Sequence, residues 1–248
     1  MNDQPLGNAQ PQTGIAAVPT APGADIVVAA LPEPVAISLA TTALVIVDMQ
    51  NAYLSKDGYL DRVGFDVSDS PPVIERTAAL LAAARAAGLK TIFLQNGFSP
   101  DQAEAGGPTS PVWYKSNALK YMRAHPQMRG KLITIDTWDF AIVDALAPRD
   151  GEPVIRKARY SGFAGTNLEQ MLRASGITTL LLAGVNTNVC VESTLRDAFH
   201  REFFGVMIPD ATLQAGPDFI FEASVFNVRS FLGWTADTAS VVAALQPA

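Results

Sequence analysis

From about residue 40 onward, short apolar runs alternate with amphipathic stretches, and this spacing predicts strands alternating with helices. ALVIVD, residues 43–48, is β-branched and continuously apolar up to its final aspartate, the pattern of a strand buried on both faces of a parallel sheet. Ser70 followed by Pro71 reads as a helix cap with a first-turn proline, and VIERTAALLAAARAAG then runs to a stop at Gly88. TIFLQN at 91–96, PVIRK at 153–157, TLLLAGV at 179–185 and GVMIPDA at 205–211 read as further strands. Three predicted helices fall among them: DFAIVDAL at 139–146, a segment opened by Thr166 with Glu169 at capping-box spacing, and NVCVESTLRDAFHREF at 188–203. Right-handed crossovers between such units imply an α/β fold, three layers α/β/α around a mostly parallel sheet. Residues 97–129, with Gly106, Gly107, Pro108 and Pro111, form a connection too long to be an ordinary turn, and a substrate-covering role is expected of them.

The first 40 residues contain no Lys, Arg or His and six prolines. Residues 1–38 are therefore expected to be a disordered or loosely docked N-terminal arm, with the apolar run at 26–31 available as an edge element. The arm has neither the basic start of a secretory signal nor the arginines of a transit peptide. Residues 39–248 are expected to form one domain. A net charge of -6 argues against nucleic acid and against a polybasic membrane contact. No apolar run approaches the roughly 20 residues of a membrane span. A single cysteine cannot pair within the chain, which suits a reducing cytoplasm.

In a sheet of this kind ligands gather outside the carboxyl ends of the strands, where loops converge and helix N-termini point inward. Three chemically capable residues fall there: Asp48 ends the first strand, Lys157 ends PVIRK, and Cys190 opens the helix after TLLLAGV. A thiol in a first helical turn beside an ammonium is expected to favour its thiolate, and a carboxylate in reach can take the proton. That set suits covalent acyl transfer. Singly, each has a plainer reading: a lone cysteine in an apolar neighbourhood is usually an inert hydrophobe, Asp48 a loop cap, Lys157 a surface charge. Gln50 stands where a second magnesium carboxylate would be, and His125 and His200 are isolated. GxGxxG, GxxxxGK[ST] and GxSxG are all absent, so no cofactor and no metal are expected.

VIVDMQNAY, VIRKARYSGF and AGVNTNVCVESTLRDAF resemble the isochorismatase-like cysteine hydrolases over about residues 37–245. LQNGF, EAGGPTSP, KSNALKYMR and DATLQAGP extend the likeness to the ureidoacrylate amidohydrolases of pyrimidine degradation. The resemblance implies Cys190 as nucleophile, Asp48 as general base, Lys157 as their charged partner, and a cis Val185–Asn186 peptide beside an oxyanion hole made by the N–H groups of Asn186 and Cys190. It also implies a small ureide substrate bound by Tyr53, Asn96, Phe98, Glu104, Ser116, Asn117 and Tyr160, no cofactor, and a homo-oligomer. Lys115 and Arg159 are two candidates for meeting a substrate carboxylate, and each reads equally well as a surface charge. Phe98 stands where those enzymes are expected to carry tryptophan, and the loop from Asn96 to Phe98 lacks the histidine of the metal-binding nicotinamidases. The implied reaction is attack of sulfur on a ureido carbonyl, with biuret, triuret and N-carbamoyl amino acids as alternative substrates. A non-catalytic ureide-binding or redox-sensing relative is the alternative from another class.

Overall fold

The computed structural model describes residues 16–24 and 26–246. Among the described residues nine strands lie in two sheets. β1 (Val18–Pro19), β2 (Ile26–Val28) and β3 (Val35–Ile37) form the smaller one, in the order β1-β3-β2. β4 (Thr42–Val47), β5 (Lys90–Asn96), β6 (Val154–Lys157), β7 (Thr179–Val185), β8 (Phe204–Leu213) and β9 (Trp234–Thr235) form the larger, in the order β6-β5-β4-β7-β8-β9. Every pair in the larger sheet is parallel, so the expected α/β class and layering hold.

The period-2 alternation of each strand supplies two cores at once. Leu44, Ile46, Phe93, Leu181 and Ala183 point to one face, where they meet Val73, Leu80, Leu81 and Ala84 of the helix Ser70–Ala86 and Val241 and Leu245 of the helix Thr238–Leu245. Ala43, Val45, Val47, Ile92, Leu94, Leu180 and Leu182 point to the other, under the helices Leu168–Ala174 and Glu192–Phe199. None of the described helices is long and apolar enough to cross a membrane.

Several boundaries differ from the sequence pattern, each for a local reason. Residues 139–146 are not helical apart from a short 3-10 turn at Asp144–Leu146, because their carbonyls are taken from outside: Asn51 N–H donates to Ala141 O, Ala52 N–H to Asp139 O, and the Gln50 and Gln95 amides to Phe140 O. The expected helix at 188–203 opens as a π-turn over Thr187–Val191, continues as Glu192–Phe199, and has ended before Glu202, which is left-handed. Asp69, not Ser70, occupies the cap position of the first long helix. Thr166 and Glu169 form no capping box: the Thr166 hydroxyl donates to Gly162 O, and Glu169 pairs with Arg173 and Arg201. Within residues 97–129 two short helices appear, Pro111–Lys115 and Asn117–Ala124.

Of the expected arm, residues 1–15 lie outside the described residues. From residue 26 its chain is packed on the domain, since Val28, Val35 and Ile37 are fully buried in the first core and Leu31 pairs with Thr235 of β9. Apolar residues at these positions gain more from burial than a Pro-rich composition suggests.

Gly184 allows β7 to finish against β4. Its φ is +119°, and a Cβ built there would fall on the Val47 carbonyl. Gly165 has φ +72° but open space around it. Gly184→Ala is expected to cost more than about 2 kcal/mol in a denaturant titration, and Gly165→Ala about 1 kcal/mol, because only the first adds a backbone clash to left-handed strain.

Candidate active site

Four strands deliver their last residues to one place. Val47 pairs with Leu94 and with Gly184, and Asn96 pairs with Lys157, so the carboxyl ends of β4, β5, β6 and β7 are level. Asp48 leaves β4 in a left-handed conformation, φ +50°, with its N–H on Leu94 O at 3.0 Å. Lys157 closes β6, and its Nζ donates to Asp48 Oδ2 at 2.7 Å, both side chains having no exposure to solvent. The same Nζ donates to Arg159 O at 3.1 Å. Asp48 Oδ1 is buried without a hydrogen-bonding partner, and Cys190 is near enough to influence this carboxylate. Cys190 is itself buried, in the π-turn that follows β7, with Thr194 Oγ1 donating to its carbonyl at 2.7 Å and accepting from Gly162 N–H at 2.9 Å. The Val185–Asn186 peptide that precedes this turn is cis, as the resemblance implies, and the Asn186 Oδ1 atom is buried without a partner.

Burial decides the protonation states. It pushes the Cys190 thiol up to about 12, the Asp48 charge adding to the effect and Lys157 opposing it. Desolvation thus favours the protonated sulfur, against the thiolate expected from a helix start beside an ammonium, and the sulfur precedes the α-helical turns. Burial likewise raises Asp48 above the ordinary carboxylate range, with Lys157 pulling it back. Burial works against the charge on Lys157, but Asp48, joined by Cys190 when the sulfur is ionised, outweighs it and holds the ammonium above its usual value. These directions favour an Asp48–Lys157 ion pair facing a protonated sulfur, an arrangement in which the carboxylate is placed to take the sulfur's proton.

A cavity of about 240 Å³ lies past the ends of β5 and β6, with Asn96, Phe98, Ser116 and Tyr160 among its walls; Asp48, Lys157 and Cys190 are not among its lining residues. Tyr53 joins through its hydroxyl, which accepts from Asn96 Nδ2 at 2.6 Å. Ser116 also caps the helix Asn117–Ala124, its oxygen accepting from Leu119 N–H. Two expected residues stand apart. Asn117 opens that helix without lining the cavity, and Glu104 is exposed, its carboxylate accepting from the Ser99 N–H and hydroxyl at 3.0 and 2.6 Å.

Residues that sequence reasoning passed over hold the site in shape. Gln50 is fully buried and clamps Asn96, accepting from its N–H at 2.8 Å and donating to its carbonyl at 3.0 Å. Asp139, buried, accepts from the Tyr59 and Ile133 amides, and Tyr59 packs edge-on against Tyr53 at 5.7 Å. An amide two residues beyond a strand-ending acid was the one available signal; Asp139 lay in a predicted helix and carried none. Among the described residues no three His, Cys, Asp or Glu side chains converge as a metal site.

Removing one member of a buried ion pair strands the other. Asp48→Asn and Lys157→Met are each expected to cost roughly 3–5 kcal/mol in denaturant titrations, and the double variant well under their sum. Additive losses would mean that the pair is not coupled.

An isochorismatase domain matches residues 42–240. The chain is 57% identical over 216 residues to a ureidoacrylate amidohydrolase RutB from Methylorubrum extorquens, covering 87% of each chain. It is 52% identical to the RutB of Yersinia enterocolitica, covering 88% of this chain and 95% of that one. A crystal structure of a cysteine hydrolase from Pseudomonas syringae pv. phaseolicola superposes with a TM-score of 0.70 at 27% identity, over 84% of this chain and 94% of the other. An N-carbamoylsarcosine amidase from Thermoplasma acidophilum shares the fold, with a TM-score of 0.59 at 24% identity, over 80% of this chain and 96% of its own. With its parallel sheet, its strand-end Asp, Lys and Cys, and a domain match over most of its length, the chain belongs to the isochorismatase family.

Proposed function

We propose that this protein is a cysteine-dependent amidohydrolase that cleaves a C–N bond of a ureido compound, with ureidoacrylate as its substrate. The observation that carries the chemistry is the convergence of Cys190 with the buried Lys157–Asp48 pair. The substrate rests on the 52–57% identity to proteins named ureidoacrylate amidohydrolases.

In this reading Asp48 takes the Cys190 proton as the sulfur attacks the ureido carbonyl carbon. The resulting oxyanion is held by the N–H groups of Asn186 and Cys190. Collapse breaks the bond to the substituted nitrogen, and Asp48 returns its proton to the leaving amine, releasing aminoacrylate. Asp48 then deprotonates a water that cleaves the S-carbamoyl enzyme, restoring the thiol and releasing carbamate, which decays to ammonia and carbon dioxide. Lys157 orients Asp48 throughout and favours its return to the ionised form after each proton is passed on. Tyr53, Asn96, Phe98, Ser116 and Tyr160 enclose the ureide, with Glu104 and Asn117 at the cavity's approach. Phe98, fully buried, supplies an apolar wall without a donor.

A cytoplasmic setting suits an enzyme that depends on one reduced thiol. A homo-oligomer is supported by the helix Asp218–Asn227, of which Ser224 alone is buried, and by Phe219 and Phe231, 68% and 66% exposed. Replacing both phenylalanines by glutamate is expected to yield a smaller species in sedimentation velocity; an unchanged mass removes this face from any interface.

Ammonia release from ureidoacrylate is expected for the native protein and its loss, by at least about 10³-fold, for Cys190→Ala. Mass spectrometry after brief exposure is expected to show a carbamoyl adduct on Cys190. Turnover that survives Cys190→Ala, or an adduct at another residue, would refute the assignment.

A further inference from the structure

Three charged side chains in and around the cavity differ in how they are partnered. Lys157 is committed to Asp48, and the Glu104 carboxylate is turned onto Ser99. Arg159, two residues beyond Lys157, lines the cavity and has no carboxylate partner among the described residues. Its Nη1 donates to Glu104 O and to Ala158 O, each at 2.8 Å. These acceptors are neutral, so they fix the direction of the guanidinium without cancelling its charge. The other walls, Asn96, Phe98, Val112, Ser116 and Tyr160, supply no countercharge. Lys115, the other cation considered from sequence, is exposed and does not line the cavity.

We propose that Arg159 is the anion-binding residue of this cavity and that the site selects ureides carrying a carboxylate, which completes the guanidinium's missing ion pair. The inference rests on the proposed amidohydrolase function, whose substrate is an acid, and adds to it the residue that meets the acidic end and sets the preference for it. A half-buried guanidinium held by two carbonyls is pre-organised for a carboxylate, and a charge-assisted bond there is stronger than one at a free surface. The carboxylate then lies by the loop after β6, leaving the ureido end to reach toward Cys190, so one contact sets both affinity and orientation.

The test compares ureidoacrylate with its neutral primary amide in the native protein and in Arg159→Gln and Arg159→Lys. The native protein is expected to prefer the acid. In Arg159→Gln the KM for the acid should rise at least about tenfold, with a smaller change in kcat, and the acid-over-amide preference should fall by a similar factor. Arg159→Lys should restore part of it. A KM that does not move, or equal losses on acid and amide, would show that Arg159 only supports the loop and would overturn the inference. Calorimetry of 3-ureidopropionate and 3-ureidopropanamide with Cys190→Ala reads the same contact without turnover. Tighter binding of the acid that disappears with Arg159→Gln supports the inference even if ureidoacrylate is not hydrolysed, and equal binding of the two refutes it even if ureidoacrylate is.

Discussion

An ion pair removed from water constrains everything around it. Lys157 Nζ and Asp48 Oδ2 are 2.7 Å apart with no solvent at either side chain, and either charge left alone there would cost several kcal/mol. Each charge must therefore arrive with the other, although β4 and β6 are separated in the sheet by β5. The strand register makes this possible by ending all three strands at one level. The pair is neutral as a unit, and Cys190 faces it from an apolar surround. That is why burial raises the thiol to about 12 and leaves its proton in place until a base removes it.

The strand ends would not suffice without the segment after residue 131. Met49 O accepts from Val143 N–H, Asn51 and Ala52 donate to the 139–141 carbonyls, and Gln50 reaches both Phe140 and Asn96. This irregular stretch acts as a splint for the turn carrying Asp48. Thr194 does the corresponding work for Cys190, tying its carbonyl to the loop at Gly162. The nucleophile and its base are thus held by backbone, while the cavity wall comes from shorter elements: Ser116 at a helix cap, and Arg159 and Tyr160 in the loop after β6.

The five long strands and the edge that carries Asp48, Lys157 and Cys190 were legible in the sequence because buried parallel strands read as uninterrupted apolar runs, whose polar ends mark where the sheet stops. DFAIVDAL misled because its apolar spacing fits a helix, while the hydrogen bonds that decide its shape come from residues about 90 positions away. The docking of residues 26–37 was legible only in part: the run at 26–31 reads as an edge element, but β2 and β3 become strands only when the domain supplies a surface. The pocket residues were all carried by the resemblance; Asn96, Phe98, Ser116 and Tyr160 line the cavity, while Glu104 and Asn117 stand outside its wall. Arg159 was undecided, because only the fold reveals which cation lacks a partner.

The central claim is that the site rests with a charged Asp48–Lys157 pair and a protonated thiol, so that Asp48 acts as a base. Cys190 is the only cysteine in the chain, so selective ¹³C labelling at Cβ gives one unambiguous reporter. The account predicts that its chemical shift in the free protein stays at the thiol value across neutral pH and past 9, approaching transition only toward about 12. A thiol-to-thiolate transition between about pH 6 and 9, as in a cysteine activated by its ammonium, would contradict it.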